Sequence, residues 1–446
     1  MNKSVDNDII VALATPYGRS AIAAIRISGK DCIKKVQPFL SKQLVDGELK
    51  YNNFTCESFA ENLMAVCYRA PRSYSGEDTV ELFPHGNMTI CDGIIKALLA
   101  VDGIRAAEKG EFTKRAFMNG KLNLMQCEAL ADIIDAQTPE QLEYGNKRYN
   151  GGFAALDQAE QMLKKALSTV EAVIHYGDEL EQNEIDEGLL NDVFGSLDKI
   201  AYLLNDEISK YAGGRIINDG FKIALIGAPN VGKSTILNAL VGSDRAIVTP
   251  IAGTTRDTID ADFVYNGKKF TVVDTAGLND GTVDEVEKIG IDRARAAAES
   301  ADGVVFVATD DSSPIYINEK SDKKAIRVIN KCDDIKDVGA KFEKAQKDGA
   351  LMISAKNGKN ITALKEMLYS LCPKEAGGIC NHRQYACVLR CLDCVNAAKK
   401  ERNKAEGLEI VAAALFDAYS AITELYGETA DENIIGEVFE RFCVGK

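Results

Sequence analysis

The chain has 446 residues, 46% of them hydrophobic, with 53 Lys and Arg against 67 Asp and Glu and a formal net charge of −14 at pH 7. This length is expected to divide into two to four domains, and the acidic balance argues against a general nucleic-acid coat, which depends on many phosphate contacts. No run of 18 apolar residues appears, the start MNKSVDNDII reads as neither signal nor transit peptide, and 12 cysteines accompany it; the expectation is a cytoplasmic protein with reduced thiols and no membrane span.

Along the chain, Ile9 to Leu13 reads as a strand, Thr15 to Arg19 as a loop, and Ile22 to Ile27 as a second strand or short helix. Pro71 to Leu82 reads as a polar loop followed by a strand ending before His85, itself expected in a loop. Ile90, Ile94 and Leu98 carry helical spacing, and 108–122 reads as a basic helix between glycine turns. Together these predict an α+β domain over 1–118. Over 119–212 the pattern is helical, with Ala129, Ile133 and Ala136, then Leu163, Leu167, Val170 and Ile174 at three-and-four spacing. Gly145, Gly151 and Gly152 are expected to separate helices, and the acidic run from Asp178 to Glu187 to be a solvated loop. After Gly213 and Gly214 strands and helices alternate, predicting an α/β domain over 213–375, and helical spacing returns over 376–446. The reading is a multidomain α/β and α+β chain, with the α/β domain inserted between two halves of a helical one.

That inserted domain opens with an apolar strand, Ile223 to Ile226, then Gly227-x-x-x-x-Gly232-Lys233-Ser234 and a helix starting near Thr235. Strand, glycine loop and helix in that order form a phosphate-binding P-loop: the glycines let backbone N–H groups turn inward, and the helix N-terminus adds partial positive charge. Lys233 can reach the outer phosphates and Ser234 can ligate Mg²⁺. The strand ending Val272-Val273 leads into Asp274-Thr275-Ala276-Gly277, where the carboxylate can hold a Mg²⁺-bound water and the Gly277 N–H can meet the γ-phosphate. Between them lies Thr249 to Asp257, whose Thr255 can coordinate Mg²⁺ while the γ-phosphate is present. Asn330-Lys331-Cys332-Asp333 again ends an apolar strand, and a carboxylate at Asp333 accepts both the N1–H and 2-amino hydrogens of guanine. Ser354-Ala355-Lys356 completes the base pocket. The set, in this order, predicts a GTPase with a doubly wound, Ras-like sheet.

Leu278 follows Gly277 where Ras-like enzymes carry a water-orienting glutamine. The nearest carboxylates are Asp284, Glu285 and Glu287; one of them orients the water, or they serve only to favour a helix N-terminus. Cys387, Cys391 and Cys394 have the spacing of an iron–sulfur motif but also fall on one helix face, and the packed stripe is the expected reading. His85, His175 and His382 are too scattered for a zinc site.

The stretches GAPNVGKST, IVTPIAGTTRD, DTAGL with DEVEKIGI, ATPYGR, SYSGEDTVEL, EFTKRAFMNGKLNLMQCEALADII and the final RFCVGK resemble the tRNA modification GTPase MnmE (TrmE) family over nearly the whole chain. The resemblance implies an N-terminal tetrahydrofolate-binding-like domain, a helical bundle domain and the inserted G domain. It implies Glu287 as the water-orienting carboxylate and Asn230, Thr249, Ile251 and Thr254 around a K⁺ ion, within a nucleotide site formed by Asn230, Val231, Gly232, Lys233, Ser234 and Thr235. Arg256, beside the Mg²⁺ threonine, supports the switch loop or is an exposed arginine. Arg26, Glu81, Lys121 and Lys446 are implied at a folate site for 5-formyl- or methylene-tetrahydrofolate. Cys443 is either chemical there or a packed thiol. A homodimer, with G domains meeting across their switch loops, an FAD-dependent MnmG-like partner in a heterotetramer, and tRNA are the implied partners. The activity implied is C5 modification of the wobble uridine; a regulatory GTPase switch, for example in ribosome assembly, is the alternative. Tyr17 and Ser20-Ala21 depart from the family's usual proline and paired glycines.

Overall fold

The computed structural model describes residues 8–176, 185–242, 261–273, 296–309, 324–333, 349–401 and 407–446. Apolar strands near the start build the first sheet: β1 (Ile9–Leu13), β3 (Ile25–Ser28), β4 (Lys50–Thr55), β5 (Ala60–Tyr68), β6 (Thr79–Phe83) and β8 (Ile104–Ala106), in the order β4-β5-β6-β3-β1-β8. All neighbours pair antiparallel except β1 with β8. Where one strand or short helix was expected over Ile22 to Ile27, β2 (Ser20–Ile22) leaves to pair with β7 (His85–Gly86), so His85 is in a strand and not a loop. The spacing of Ile90, Ile94 and Leu98 does form a helix, α2 (Met88–Leu99), after α1 (Cys32–Val36). Asn87 caps α2 by accepting from the Thr89 N–H, and Cys91, Ile94 and Leu98 pack on Ile25, Ile27, Phe54 and Leu82.

The basic segment forms α3 (Glu111–Met118), which is held by buried charge. Arg115, 5% exposed, donates to Asp8 (2.9 Å), Glu111 (3.0 Å) and Glu77 (3.2 Å), while Arg105 reaches Glu111 (2.6 Å) and Asp8. Burial pushes the Glu111 carboxyl up, but the Arg105 bond, the Glu108 N–H and Arg115 outweigh it and hold the carboxyl below its ordinary range. Replacing Arg115 by Met strands these carboxylates, and we expect a loss of about 3–5 kcal/mol, read as a lower urea midpoint. Because Glu111 titrates lower folded than unfolded, its contribution is present above about pH 4.3 and lost as pH falls through the folded value.

Two compact units emerge: 1–134 with 146–197 and 390–446, and 135–145 with 198–389. In the first, α4 (Leu124–Asp135), α6 (Ala154–Tyr176), α11 (Leu408–Tyr426) and α12 (Glu432–Glu440) supply helical packing. Tyr426 Oη donates to Asp157 (2.5 Å) between α11 and α6, and Phe439 and Phe442 pack with Phe117, Leu124 and Cys127. Gly145 does not break the helix, since α5 (Pro139–Tyr149) runs through it; one helical glycine costs only about 1 kcal/mol relative to alanine. The break falls at Gly151 and Gly152, between α5 and α6.

In the second unit, the expected boundary between 212 and 213 lies inside α7 (Ile185–Asp219). Gly213 and Gly214 are there for close approach: a methyl on Gly213 would come 1.8 Å from the Glu375 carbonyl, and one on Gly214 2.4 Å from the Ile379 carbonyl. Then come β9 (Phe221–Ile226), α8 (Lys233–Gly242), β10 (Ala261–Tyr265), β11 (Lys268–Val273), β12 (Gly303–Ala308), β13 (Lys324–Ile329), β14 (Ala350–Met352) and α9 (Ile361–Leu371). The sheet order is β10-β11-β9-β12-β13-β14, parallel except for the edge strand β10. Phe221, Phe263, Phe270, Val305, Ile326, Leu240 and Leu364 fill its core. Such a sheet places ligands beyond the carboxyl ends of its strands.

Candidate functional site

The glycine loop leaves the end of β9 and enters α8. Gly227 faces β12 so closely that a β-carbon would lie 2.2 Å from the Val307 carbonyl; Gly232, at φ +95°, leaves no room beside the Asn330 amide, 2.4 Å from such a carbon. Only glycine fits either place, so a bare backbone is what approaches a phosphate, as a P-loop requires. Asn230 takes φ +62° between them. Lys233 folds back over the loop, its Nζ donating to the carbonyls of Gly227 (2.9 Å) and Ala228 (3.1 Å), while Ser234 and Thr235 are exposed in the first turn of α8.

Asn330 follows β13 and is 2% exposed. Its Nδ2 donates to the Val231 carbonyl (2.9 Å) and its Oδ1 accepts the Ala355 N–H (3.1 Å). One amide therefore ties the phosphate loop, the Asn330 to Asp333 turn and the Ser354 to Lys356 turn together. Lys331, at φ +61°, adds a second tie through Nζ to the Asn230 carbonyl (2.8 Å). Cys332 is buried in a cluster with Ile329 and Met352. Asp333 is exposed, and the Ser354 hydroxyl and its own backbone N–H hold its carboxyl below the usual range, with Lys356 and Lys331 adding to this. Ser354 exchanges backbone bonds of 3.1 Å with Lys359, which fixes that turn. The structure thus brings Asn230, Val231, Gly232, Lys233, Asn330, Lys331, Ser354 and Ala355 together. The bridging role of Asn330 was not visible in the sequence. Thr249, Ile251, Thr254, Thr255, Arg256, Asp274, Thr275, Ala276, Gly277, Leu278, Asp284, Glu285 and Glu287 lie outside the described residues.

In the first unit, Arg26 and Glu81 are direct partners in the β3–β6 register, joined Nε to Oε1 at 2.8 Å and about one-fifth exposed. The guanidinium carbon lies 5.3 Å from the Tyr74 ring centre and 5.7 Å from that of Phe112. A paired carboxylate and guanidinium among aromatic rings suits a flat, polar-edged heterocycle with carboxylates. Gly445, next to the half-buried Lys446, offers its carbonyl to Arg26 Nη1 (3.5 Å), and Cys443 is exposed. Lys121 instead donates to the Pro71 carbonyl (3.2 Å), at the start of the loop carrying Tyr74. Tyr74, Phe112 and Gly445 lie in the stretches SYSGEDTVEL, EFTKRAFMNGKLNLMQCEALADII and RFCVGK, but they were given no place beside Arg26 because they meet it only in the fold.

Elsewhere, Cys387 and Cys391 are buried and Cys394 is half-buried in α10 (His382–Lys400). His85 bonds Glu61 at 2.6 Å.

The MnmE helical domain family model matches residues 124–443, and that of the GTP-binding protein TrmE N-terminus matches 9–121. The tRNA modification GTPase MnmE of Thermotoga petrophila is 34% identical over 98% of this chain and 100% of its own length. Those of Christiangramia forsetii and Aquifex aeolicus are each 35% identical, over 99% and 98% of this chain and 99% of their own lengths. Among solved structures, that of Era in complex with MgGDPNP and nucleotides 1506–1542 of 16S ribosomal RNA covers 39% of this chain and 66% of its own at 27% identity, with a TM-score of 0.29. Since a third of the residues match over the full length of both partners, the chain belongs to the family of the tRNA modification GTPase MnmE.

Proposed function

We propose that this protein is a cytoplasmic GTPase that acts in tRNA modification, working at C5 of the wobble uridine with a folate one-carbon donor. The observation that carries the GTPase part is the Asn330 amide, which joins a phosphate loop to two turns of base-reading composition. Lys233 meets the outer phosphates, Ser234 and Thr255 hold Mg²⁺, and Asp274 with Gly277 responds to the γ-phosphate. Asp333 and the turn Ser354 to Lys356 enclose guanine. Asn230, Thr249, Ile251 and Thr254 would hold K⁺, which would supply positive charge during phosphoryl transfer. Glu287 orients water in place of the glutamine that Leu278 displaces.

At the second site, Arg26, Glu81, Lys121 and Lys446 hold the tetrahydrofolate derivative, with Glu81 on the amino-pyrimidine edge and the cations on the carboxylates. Cys443 stands beside it. The assembly is a homodimer joined by an FAD-dependent MnmG-like partner, with tRNA as substrate, and hydrolysis drives conformational change.

Glu287→Ala should lose about 10²- to 10⁴-fold in turnover while keeping GTP affinity, and hydrolysis should be faster in K⁺ than in Na⁺. Equal rates in both salts refute the cation role. Cells lacking the protein should lose the C5-modified wobble nucleoside from their tRNA, and the Glu287→Ala gene should not restore it. An unchanged nucleoside profile refutes the modification role.

A further inference from the structure

Residues 139–145 read as part of the helical stretch 119–212, yet they group with the nucleotide-binding unit. Three side chains in the first half of α5 hold them there. Gln141 Nε2 donates to the Asn218 carbonyl (2.9 Å), just before β9, and Tyr144 Oη donates to the Gly377 carbonyl (2.9 Å), beyond α9. The third contact reaches a different place. Glu140 Oε1 accepts from Nζ of Lys268, the first residue of β11, at 2.9 Å. Lys268 sits at the tip of the β10–β11 hairpin, which turns through Asn266 (φ +49°) and Gly267 (φ +81°), a tight two-residue connection. β11 pairs with β9 from Phe270 to Val273, so Lys268 lies beyond that pairing. The tip rests on Glu140 and on Tyr369 of α9, whose ring centre is 6.0 Å from Lys268 Nζ and 6.3 Å from the ring centre of Tyr265. At their other ends both strands lead to the phosphate-responding stretches. Residues 249–257 precede β10, and Asp274 follows Val273 directly at the end of β11. From Lys268 to Asp274 is about 20 Å of extended chain, at a rise of about 3.3 Å per residue.

We propose that Lys268 and Glu140 form a latch through which the β10–β11 hairpin reports the γ-phosphate to α5, the helix that runs on unbroken to Tyr149. The ladder of backbone hydrogen bonds joins the two strands into one ribbon. A shift imposed at 249–257 or at 274–277 therefore arrives at the tip. There the ion pair, with side chains 14% and 32% exposed, passes it to the first turn of α5. Lys268 is a positioning residue, acting on α5 and through the hairpin. The latch rests on the reading above that Thr255, Asp274 and Gly277 respond to the γ-phosphate; the ion pair itself does not.

The test is amide hydrogen exchange of the full chain loaded with Mg²⁺ and either GDP or the non-hydrolysable analogue GDPNP, read at 140–145. In the wild type, exchange there should differ at least about fivefold between the two nucleotides. Glu140→Gln and Lys268→Met should each abolish that difference, and the double variant should lose no more than either single one. Lys269→Met should keep it, because that lysine pairs with Asp262 inside the hairpin (3.0 Å). If the first two variants speed exchange at 140–145 equally with both nucleotides and keep the difference, the pair only braces α5 and the latch is overturned. Peptides covering 249–257 and 274–277 separate the two readings. A nucleotide response there without one at 140–145 refutes the latch alone. No response at either place refutes the γ-phosphate reading and the latch with it.

Discussion

Asp333→Asn lowers the affinity for GTP by about 10²- to 10⁴-fold, and xanthosine triphosphate recovers most of the loss. A carboxylate accepts two hydrogens from guanine, one from N1 and one from the 2-amino group. Asparagine keeps one acceptor but turns an N–H₂ toward the 2-amino group, so donor faces donor. Xanthine carries a carbonyl at that position and accepts from the new amide. Competition against a fluorescent nucleotide reads both affinities. Equal losses for the two bases would mean that Asp333 only shapes its turn. The lowered pKa of Asp333, set by the Ser354 hydroxyl and its own N–H, bears on pH as well. The carboxylate stays ionised at neutral pH, and base reading is lost only as pH falls below the ordinary aspartate value of about 3.9.

Periodicity made some elements legible and hid others. Ile90, Ile94 and Leu98 repeat on one helix face and all face one core, so α2 is readable. The same reasoning treats glycine as a breaker and is misled at Gly213, where the reason for glycine is a carbonyl of residue 375 passing 162 positions away in sequence. Glycine as a local signal cannot distinguish a stop from a close approach. The P-loop and the Asn330 to Asp333 turn were readable because their chemistry is written in consecutive residues. Arg26 and Glu81 are 55 residues apart and meet only through strand register; resemblance marked them, and local composition did not. Arg115 read as one more cation of a basic helix, because its three carboxylate partners come from residues 8, 77 and 111.

Asn330 is the residue whose loss should disturb the nucleotide site most widely. Asn330→Ala leaves the Val231 carbonyl and the Ala355 N–H without their side-chain partner in a buried place, at about 1–3 kcal/mol for each group. We expect GTP affinity to fall by at least about tenfold, since 1.4 kcal/mol corresponds to one decade, and the Ala355 amide to exchange faster with deuterium. Asn330→Asp separates the two ties. Its carboxylate still accepts from Ala355 but presents an oxygen, carrying buried charge, to the Val231 carbonyl in place of a donor. If the phosphate-loop tie matters, Asp binds GTP no better than Ala while protecting the Ala355 amide more. If only the base-side turn matters, Asp restores GTP affinity, and Asn330 is then a brace for Ala355 alone. The Gly232 backbone makes the first outcome the expected one: it leaves space for the Asn330 amide within 2.4 Å of where a β-carbon would stand, so the loop is built around that amide. A donor at that point holds the glycine loop at Val231 to the end of β13.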